Sequence, residues 1–484
     1  MSENQSLKSN VLSWRSQFFQ AIAHMAPASG IVMSFQFMAT RSGSALPLAV
    51  VCAAVLSLLV AYCLSLLTRK YFGASGYFQI HSRALGSKVG FTTSWLFFIY
   101  EPLNAFMSFF GFGVLILEPF SQAHLGYKIP WWVAIVVGNS IIMLCSLTNI
   151  KGAMRVTTIL GIVEVIIFLV FGGILLVQAD APFQPQYFAP GNSADGIGGL
   201  LFAFIFAFLL FMGFESGLPL TEETKDTRKS TAKGLLLSVG FGSLLFIFLG
   251  YAFVVGFGGG EDSVSFAKNF GSAHNPFSGT LAIKAFGAIG PWLIFFAVLN
   301  SCIACALASQ SGSSRVFFSL GRSRVLPKWL GYTTVKNNVP ANASLFAGFL
   351  TFLFGVVFYL LSHGQKIMDW FGFTAVLMTI ALLALHFITC LSVFVAYRFK
   401  EKDGFKHIQH GLIPLVTAGI VLLPLCGSVY YNPDKPMSYA PWVVGIWFVI
   451  GLVVYNALKR RQPQTLQALE HEMERFGHAR ERWE

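Results

Sequence analysis

Phe206-Ala207-Phe208-Leu209-Leu210-Phe211-Met212-Gly213-Phe214-Glu215-Ser216-Gly217-Leu218-Pro219 begins as an apolar helix former and ends as a cluster of helix breakers around one carboxylate. Residues 199–219 match the about 20 residues of helix that cross a hydrocarbon core of about 30 Å. Two glycines and a proline inside such a span free backbone groups from helical bonding, and in lipid each unsatisfied group costs several kcal/mol. A break of this kind is tolerated where it lines a protein-walled or watery cavity, so the stretch reads as a site. A second one lies near the amino terminus, where His24-Met25-Ala26-Pro27-Ala28-Ser29-Gly30-Ile31 sets a proline and a glycine three residues apart near mid-depth of residues 17–39. Singly, each also fits a Pro/Gly kink of an ordinary membrane helix. Interruptions at corresponding positions of two five-span halves point further, to an inverted-repeat transporter with its binding site at the midplane.

Outward from these two stretches, apolar runs recur along the whole chain. Hydrophobic residues are 55% of the 484 positions and charged residues 11%, against about 25% charged in soluble domains. About 12 spans are predicted, at residues 17–39, 46–67, 91–117, 131–148, 157–177, 199–219, 235–257, 291–320, 341–361, 371–397, 412–430 and 442–458. The fold class is therefore all-α and polytopic, with a five-plus-five inverted repeat and two extra helices. Its expected divisions are a cytoplasmic segment (1–16), a first repeat (17–180), a second repeat (181–400), spans 11 and 12 (401–459) and a cytoplasmic tail (460–484). No sizeable soluble domain is visible. Leu466, Leu469, Met473 and Phe476 give the tail the spacing of a short amphipathic helix, and residues 71–90 read as an inner loop with a short interfacial helix.

A formal charge of +12 raises the question of nucleic acid, and its distribution answers it. With the amino terminus inside, 27 of the 33 Lys and Arg fall on inner segments and 6 on outer ones. This loop-by-loop alternation is the positive-inside pattern, with both termini cytoplasmic in the plasma (inner) membrane, and no role for nucleic acid follows. The first residues are polar and the first apolar run is long enough to span, so a cleavable signal peptide is not expected. Seven cysteines in or near apolar runs argue against a disulfide framework, and Cys302-x-x-Cys305 reads as small core residues rather than a metal or redox motif. No metal or cofactor is expected.

Around the sixth span the residues resemble the amino acid-polyamine-organocation transporter superfamily, whose members share the fold of LeuT. Gly213-Phe214-Glu215 running to Glu222-Glu223-Thr224-Lys225-Asp226-Thr227-Arg228 is similar to that family's aromatic-Gly-Phe-Glu span and its Glu-Glu-x-Lys-Asn-Pro-x-Arg loop, with Asp226 and Thr227 departing from Asn-Pro. Weaker matches are Ser75-Gly76-Tyr77 with Arg83-Ala84-Leu85-Gly86, Asn149-x-x-Gly152, and Ser313-Ser314-Arg315-Val316-Phe317-Phe318 with Leu326-Pro327. The resemblance implies an amino acid permease. It makes the amides of Ala28, Ser29 and Gly30, at the positive end of a half-helix, the receivers of a substrate carboxylate. Carbonyls around Phe208 to Phe211 would take the α-ammonium, beside Gly213. Tyr100 and Glu101 lie in the third span, which lines the cavity in this fold, and Glu101 is a candidate partner for a basic side chain.

Four carboxylates lie in or at the edges of spans: Glu101, Glu118, Glu164 and Glu215. An ionisable group in hydrocarbon is a functional hypothesis by default, because burying its charge is costly. An acid able to exchange its charged and neutral forms there can carry a proton. Glu215, inside the break, is the first candidate for coupling. Glu164 is the second, standing where some proton-coupled relatives carry a lysine; its reversed charge could titrate or attract a cation. Glu118, beside Pro119, reads as reaching interfacial water. Ser301 is a further candidate for a sodium-like site, and His24 reads as a neutral histidine bonded to a carbonyl. An acidic interior suits a cationic substrate. The function expected is a secondary active transporter for amino acids, proton-coupled, with preference for substrates bearing a positive group. Alternatives are a polyamine or amine permease, an exchanger, or a membrane sensor that binds without transport. Without a zincin, P-loop or G-x-S-x-G motif at a membrane face, an enzyme is not expected.

Overall fold

A computed structural model of the chain describes residues 7, 9–71, 75–147, 150–259, 262–272, 276–334, 338–362, 367–400, 404–430, 435–461 and 464. The expected tail helix, with Leu466, Leu469, Met473 and Phe476, lies outside the described residues, as does Asn149. The protein is an all-α, polytopic membrane protein. Among the described residues, nine helical runs are long and apolar enough to cross a membrane, and two shorter apolar helices, Trp131–Ser146 and Gly196–Leu209, accompany them. The nearest approach to a strand is a parallel bridge between Leu12 and Thr224.

Lipid explains the surface. Leu144, Leu244 and Trp442 are each at least 70% exposed on apolar helices, an arrangement that water would penalise and hydrocarbon does not. The interior is dense with aromatic rings, and Phe35, Phe106, Phe206 and Phe211 are fully buried. The broken helices lie at the centre of the bundle. Trp14–Met25 packs on Thr227–Phe257 and Gly290–Arg322, and Pro27–Ser42 packs on Gly196–Leu209.

Three elements differ from the sequence expectation. The first break falls at Ala26, one residue before the proline, because Pro27 occupies the first helical position, where its missing N–H costs nothing. The inner-loop helix Tyr77–Leu85 is packed into the bundle: Tyr77, Phe78, Ile80 and His81 are buried against Ser87–Gly111 and Ile367–Val395. The connection between the predicted spans 235–257 and 291–320 is not a plain loop either. It carries the helix Ser263–Ser272, whose Phe266 and Phe270 turn inward and which packs on Pro27–Ser42.

Candidate functional site

Ala26 adopts left-handed geometry (φ 48°, ψ 66°), so one residue interrupts an otherwise continuous helix. Its amide still caps the first half on the Ile22 carbonyl at 3.1 Å, and its carbonyl accepts the Gly30 amide at 2.8 Å. Gly30 is thus the first residue of the second half with an intrahelical bond. Pro27 has no N–H, which leaves Ala28 and Ser29 as the first-turn amides that helix geometry cannot satisfy. The Ser29 amide donates to Ser301 Oγ at 3.1 Å, and the two hydroxyls meet at the same distance.

In the sixth span, Gly196–Leu209 gives way to consecutive turns over residues 210–217. Amides of Leu210, Phe211 and Met212 bond the carbonyls three residues back, those of Ala207, Phe208 and Leu209, at 3.0–3.2 Å. Of the carbonyls expected to receive an ammonium, those of Phe208 and Leu209 are thus engaged, and that of Phe211 accepts the Phe214 amide at 3.3 Å, each through one of its two lone pairs. Phe208 and Phe211 are fully buried, with rings edge-on to His386 and Phe246 respectively. Gly213 has φ +104°, and a Cβ there would lie 2.6 Å from the His24 ring. A side chain at that point has to displace the His24 ring.

Glu215 holds the unwound backbone. Its Oε2 accepts the Gly213 amide at 3.2 Å and its Oε1 accepts the Tyr100 hydroxyl at 2.5 Å. Glu101, the next residue after Tyr100, is buried on the same helix. Its backbone carbonyl accepts from Ser309 Oγ at 2.5 Å, while its Oε1 is buried without a hydrogen-bond partner. Glycine at position 312 admits that carboxyl, since a Cβ would come within 2.6 Å of Oε1. His24 bridges Glu101 and the cavity. Asn104 Nδ2 donates to His24 Nε2 at 2.6 Å, which puts the ring proton on Nδ1, 3.8 Å from Glu101 Oε1. His24 thus binds a side-chain amide rather than the expected carbonyl. Glu164 lies apart, wholly buried beside Ser301, with neither oxygen in a hydrogen bond.

Residues of both breaks, with His24, Asn104 and Cys305, line a cavity of about 50 Å³. Of the expected site residues, Ser29 and Gly30 line it; Tyr100, Glu101, Phe208, Phe211, Gly213, Glu215, Glu164 and Ala28 stand outside its wall. Sequence reading missed Asn104, Met107 and Cys305 among the lining residues, whereas Met212 belongs to the break it marked. Asn104 and His24 are 80 positions apart, and nothing in either local pattern announces the pair. A larger cavity of about 740 Å³ opens on the side of Phe37, Glu118 and Lys128. Phe37, on the wall of the large cavity, stacks on Phe206 at 4.8 Å. At the opposite end, Arg315 Nε pairs with Glu223 Oε2 at 3.0 Å and Arg322 Nη2 with Glu222 Oε1 at 3.1 Å.

The sequence profile described as "Amino acid permease" matches residues 17–466. The low-affinity putrescine importer PlaP of Escherichia coli is 24% identical over 448 residues, covering 89% of this chain and 90% of its own length. The branched-chain amino acid permease BcaP of Lactococcus lactis is 23% identical over 361 residues, 70% of this chain and 71% of its own. Cationic amino acid transporter 7 of Arabidopsis thaliana is 23% identical over 320 residues, 58% of this chain and 53% of its own.

Proposed function

This chain belongs to the amino acid permease family, and on that premise we propose that it is a proton-coupled secondary transporter of amino acids that favours substrates carrying a positive group. The observation that carries this reading is the position of Glu215, which ties the unwound sixth span to Tyr100 beside a cavity both helix breaks reach. Charged, the carboxylate holds the Gly213 amide and the Tyr100 hydroxyl together. Protonated, it keeps one acceptor oxygen fewer and loosens that hold, so proton binding and the shape of the break are linked. The substrate carboxylate takes the Ala28 and Ser29 amides, displacing Ser301 from Ser29. A cationic side chain is drawn to Glu101, whose Oε1 lacks a partner behind His24. Glu164, with two unbonded oxygens, is the second coupling acid. Both termini face the cytoplasm, on the strength of 27 Lys and Arg against 6 between the two sides.

The test is uptake into proteoliposomes under an imposed proton gradient. Lysine and norleucine are the informative pair, because norleucine is lysine without its ammonium. The expected result is gradient-driven lysine uptake that exceeds norleucine uptake at least tenfold, with Glu215→Gln losing the gradient dependence while still exchanging labelled for unlabelled lysine. Gradient dependence unchanged in Glu215→Gln would sink the proton assignment. An amine permease is the second reading, favoured by the resemblance to a putrescine importer over 89% of the chain. Putrescine competing where lysine does not would establish it.

A further inference from the structure

Methionine accounts for 12 of the 484 residues, yet Met25, Met33, Met107 and Met212 all line the small central cavity, while none of the 50 phenylalanines does. The four come from separate pieces of chain: the end of Trp14–Met25, the second turn of Pro27–Ser42, the helix Ser87–Gly111, and the unwound residues 210–217. Ordinary packing in this interior uses rings, so a wall of thioethers here is a departure from the chain's own habit. Two of the sulfurs rest on bare backbone: a Cβ added at Gly111 would lie 2.5 Å from Met33 Sδ, and one at Gly242 would lie 3.4 Å from Met25 Sδ. Ser34, also on the wall, has a buried hydroxyl with no hydrogen-bond partner.

The cavity, about 50 Å³, is far smaller than the about 740 Å³ beside Phe37, so a bulky solute is accommodated by movement of its wall. Aromatic or β-branched walls yield by moving backbone. Methionine yields by turning about three side-chain bonds, and its polarizable sulfur keeps contact with whatever shape replaces it. We infer that Met25, Met33, Met107 and Met212 form an adaptable subsite for the hydrocarbon part of the transported solute, one that takes aliphatic chains by length rather than by shape. This rests on the reading of the cavity as the substrate site, and it adds a specificity element to the carboxylate and ammonium contacts. A polymethylene chain bearing a terminal ammonium fits the same wall along its carbons.

Competition against labelled-substrate exchange in proteoliposomes tests the inference on the full chain. Across alanine, 2-aminobutyrate, norvaline and norleucine, affinity should rise about fourfold per methylene, the increment expected for full burial of each group. Leucine, norleucine and methionine, similar in volume and different in shape, should fall within about threefold of one another, as adaptable Met-rich sites allow. In the double variant Met107→Leu/Met212→Leu, stiffer branched walls should split those three by tenfold or more. Affinity independent of chain length, or a double variant that ranks the three as the parent does, overturns the subsite and leaves transport standing. Absence of exchange with every amino acid and amine overturns the transport reading, and the subsite with it.

Discussion

Gly213 shows how much of the site hangs on one missing side chain. Its φ of +104° is open to glycine and strained for any other residue, and a Cβ would meet the His24 ring at 2.6 Å. Backbone strain and overpacking each cost about 1–3 kcal/mol, and the ring is the part free to move. Displacing it breaks the 2.6 Å Asn104 contact and turns Nδ1 away from Glu101. Gly213→Ala should therefore insert and fold, with a modest fall in melting temperature, and lose substrate affinity by about tenfold or more. Thermal shift on substrate addition, measured beside exchange, checks it; undiminished substrate stabilisation would show that His24 plays no part in the site. Glu215 was legible because a carboxylate among helix breakers inside an apolar run is too costly to bury there without a role. Met33 and Met107 were not, since a methionine in a membrane span looks like any core residue until the helices around it are placed. Phe208 and Phe211 were legible as part of the break, but whether a ring faces the ligand or the core depends on neighbours such as His386 and Phe246 that lie far along the chain.

At the scale of the element, the first break is almost a continuous helix. Capping bonds of 3.1 and 2.8 Å run into and out of Ala26, and a single left-handed residue separates the halves. A non-glycine residue in that region costs about 1–3 kcal/mol, and it persists only because its surroundings over-determine it. Pro27 is the main constraint, since a helix continued through it would set its ring against the carbonyl four residues earlier. Pro27→Ala removes that clash and supplies the N–H that a continuous helix requires. The expected outcome is a protein of equal or higher melting temperature whose exchange rate falls at least tenfold, because Ser29 no longer presents its amide at a helix start. Equal transport in the variant would mean that the break is a kink without function. The sequence marked this element to within a residue through the proline, whereas Ala26 itself carries no signal at all. The inner-loop helix was legible as a helix and not as a buried one, because its burial is decided by Ser87–Gly111 and Ile367–Val395, which fold over it.

For the whole molecule, the two ends of the bundle differ in kind. One end opens into about 740 Å³ beside Phe37 and Lys128. The other is held by the buried Arg315–Glu223 pair, by Arg322 on Glu222, and by backbone bonds from Val11 and Leu12 to the Glu223 carbonyl at 2.8 and 2.9 Å. Transport requires the closed end to open and the open end to close, so the pairs at the closed end set the balance between two states. Moving such a balance tenfold takes about 1.4 kcal/mol. Leaving a buried charge without its partner costs about 3–5 kcal/mol, more than enough. Glu223→Gln removes the charge opposite Arg315 while keeping shape, and should shift the population toward the state open at the Arg315 end. Gln122 lines the large cavity and reports the shift as an introduced cysteine, in a background where the exposed Cys52 and Cys426 are replaced by alanine. A membrane-impermeant maleimide should label Gln122→Cys several-fold more slowly when Glu223→Gln is also present. Unchanged labelling would mean that the ion pair fastens the loop without governing access, and that the seal lies in the helices themselves.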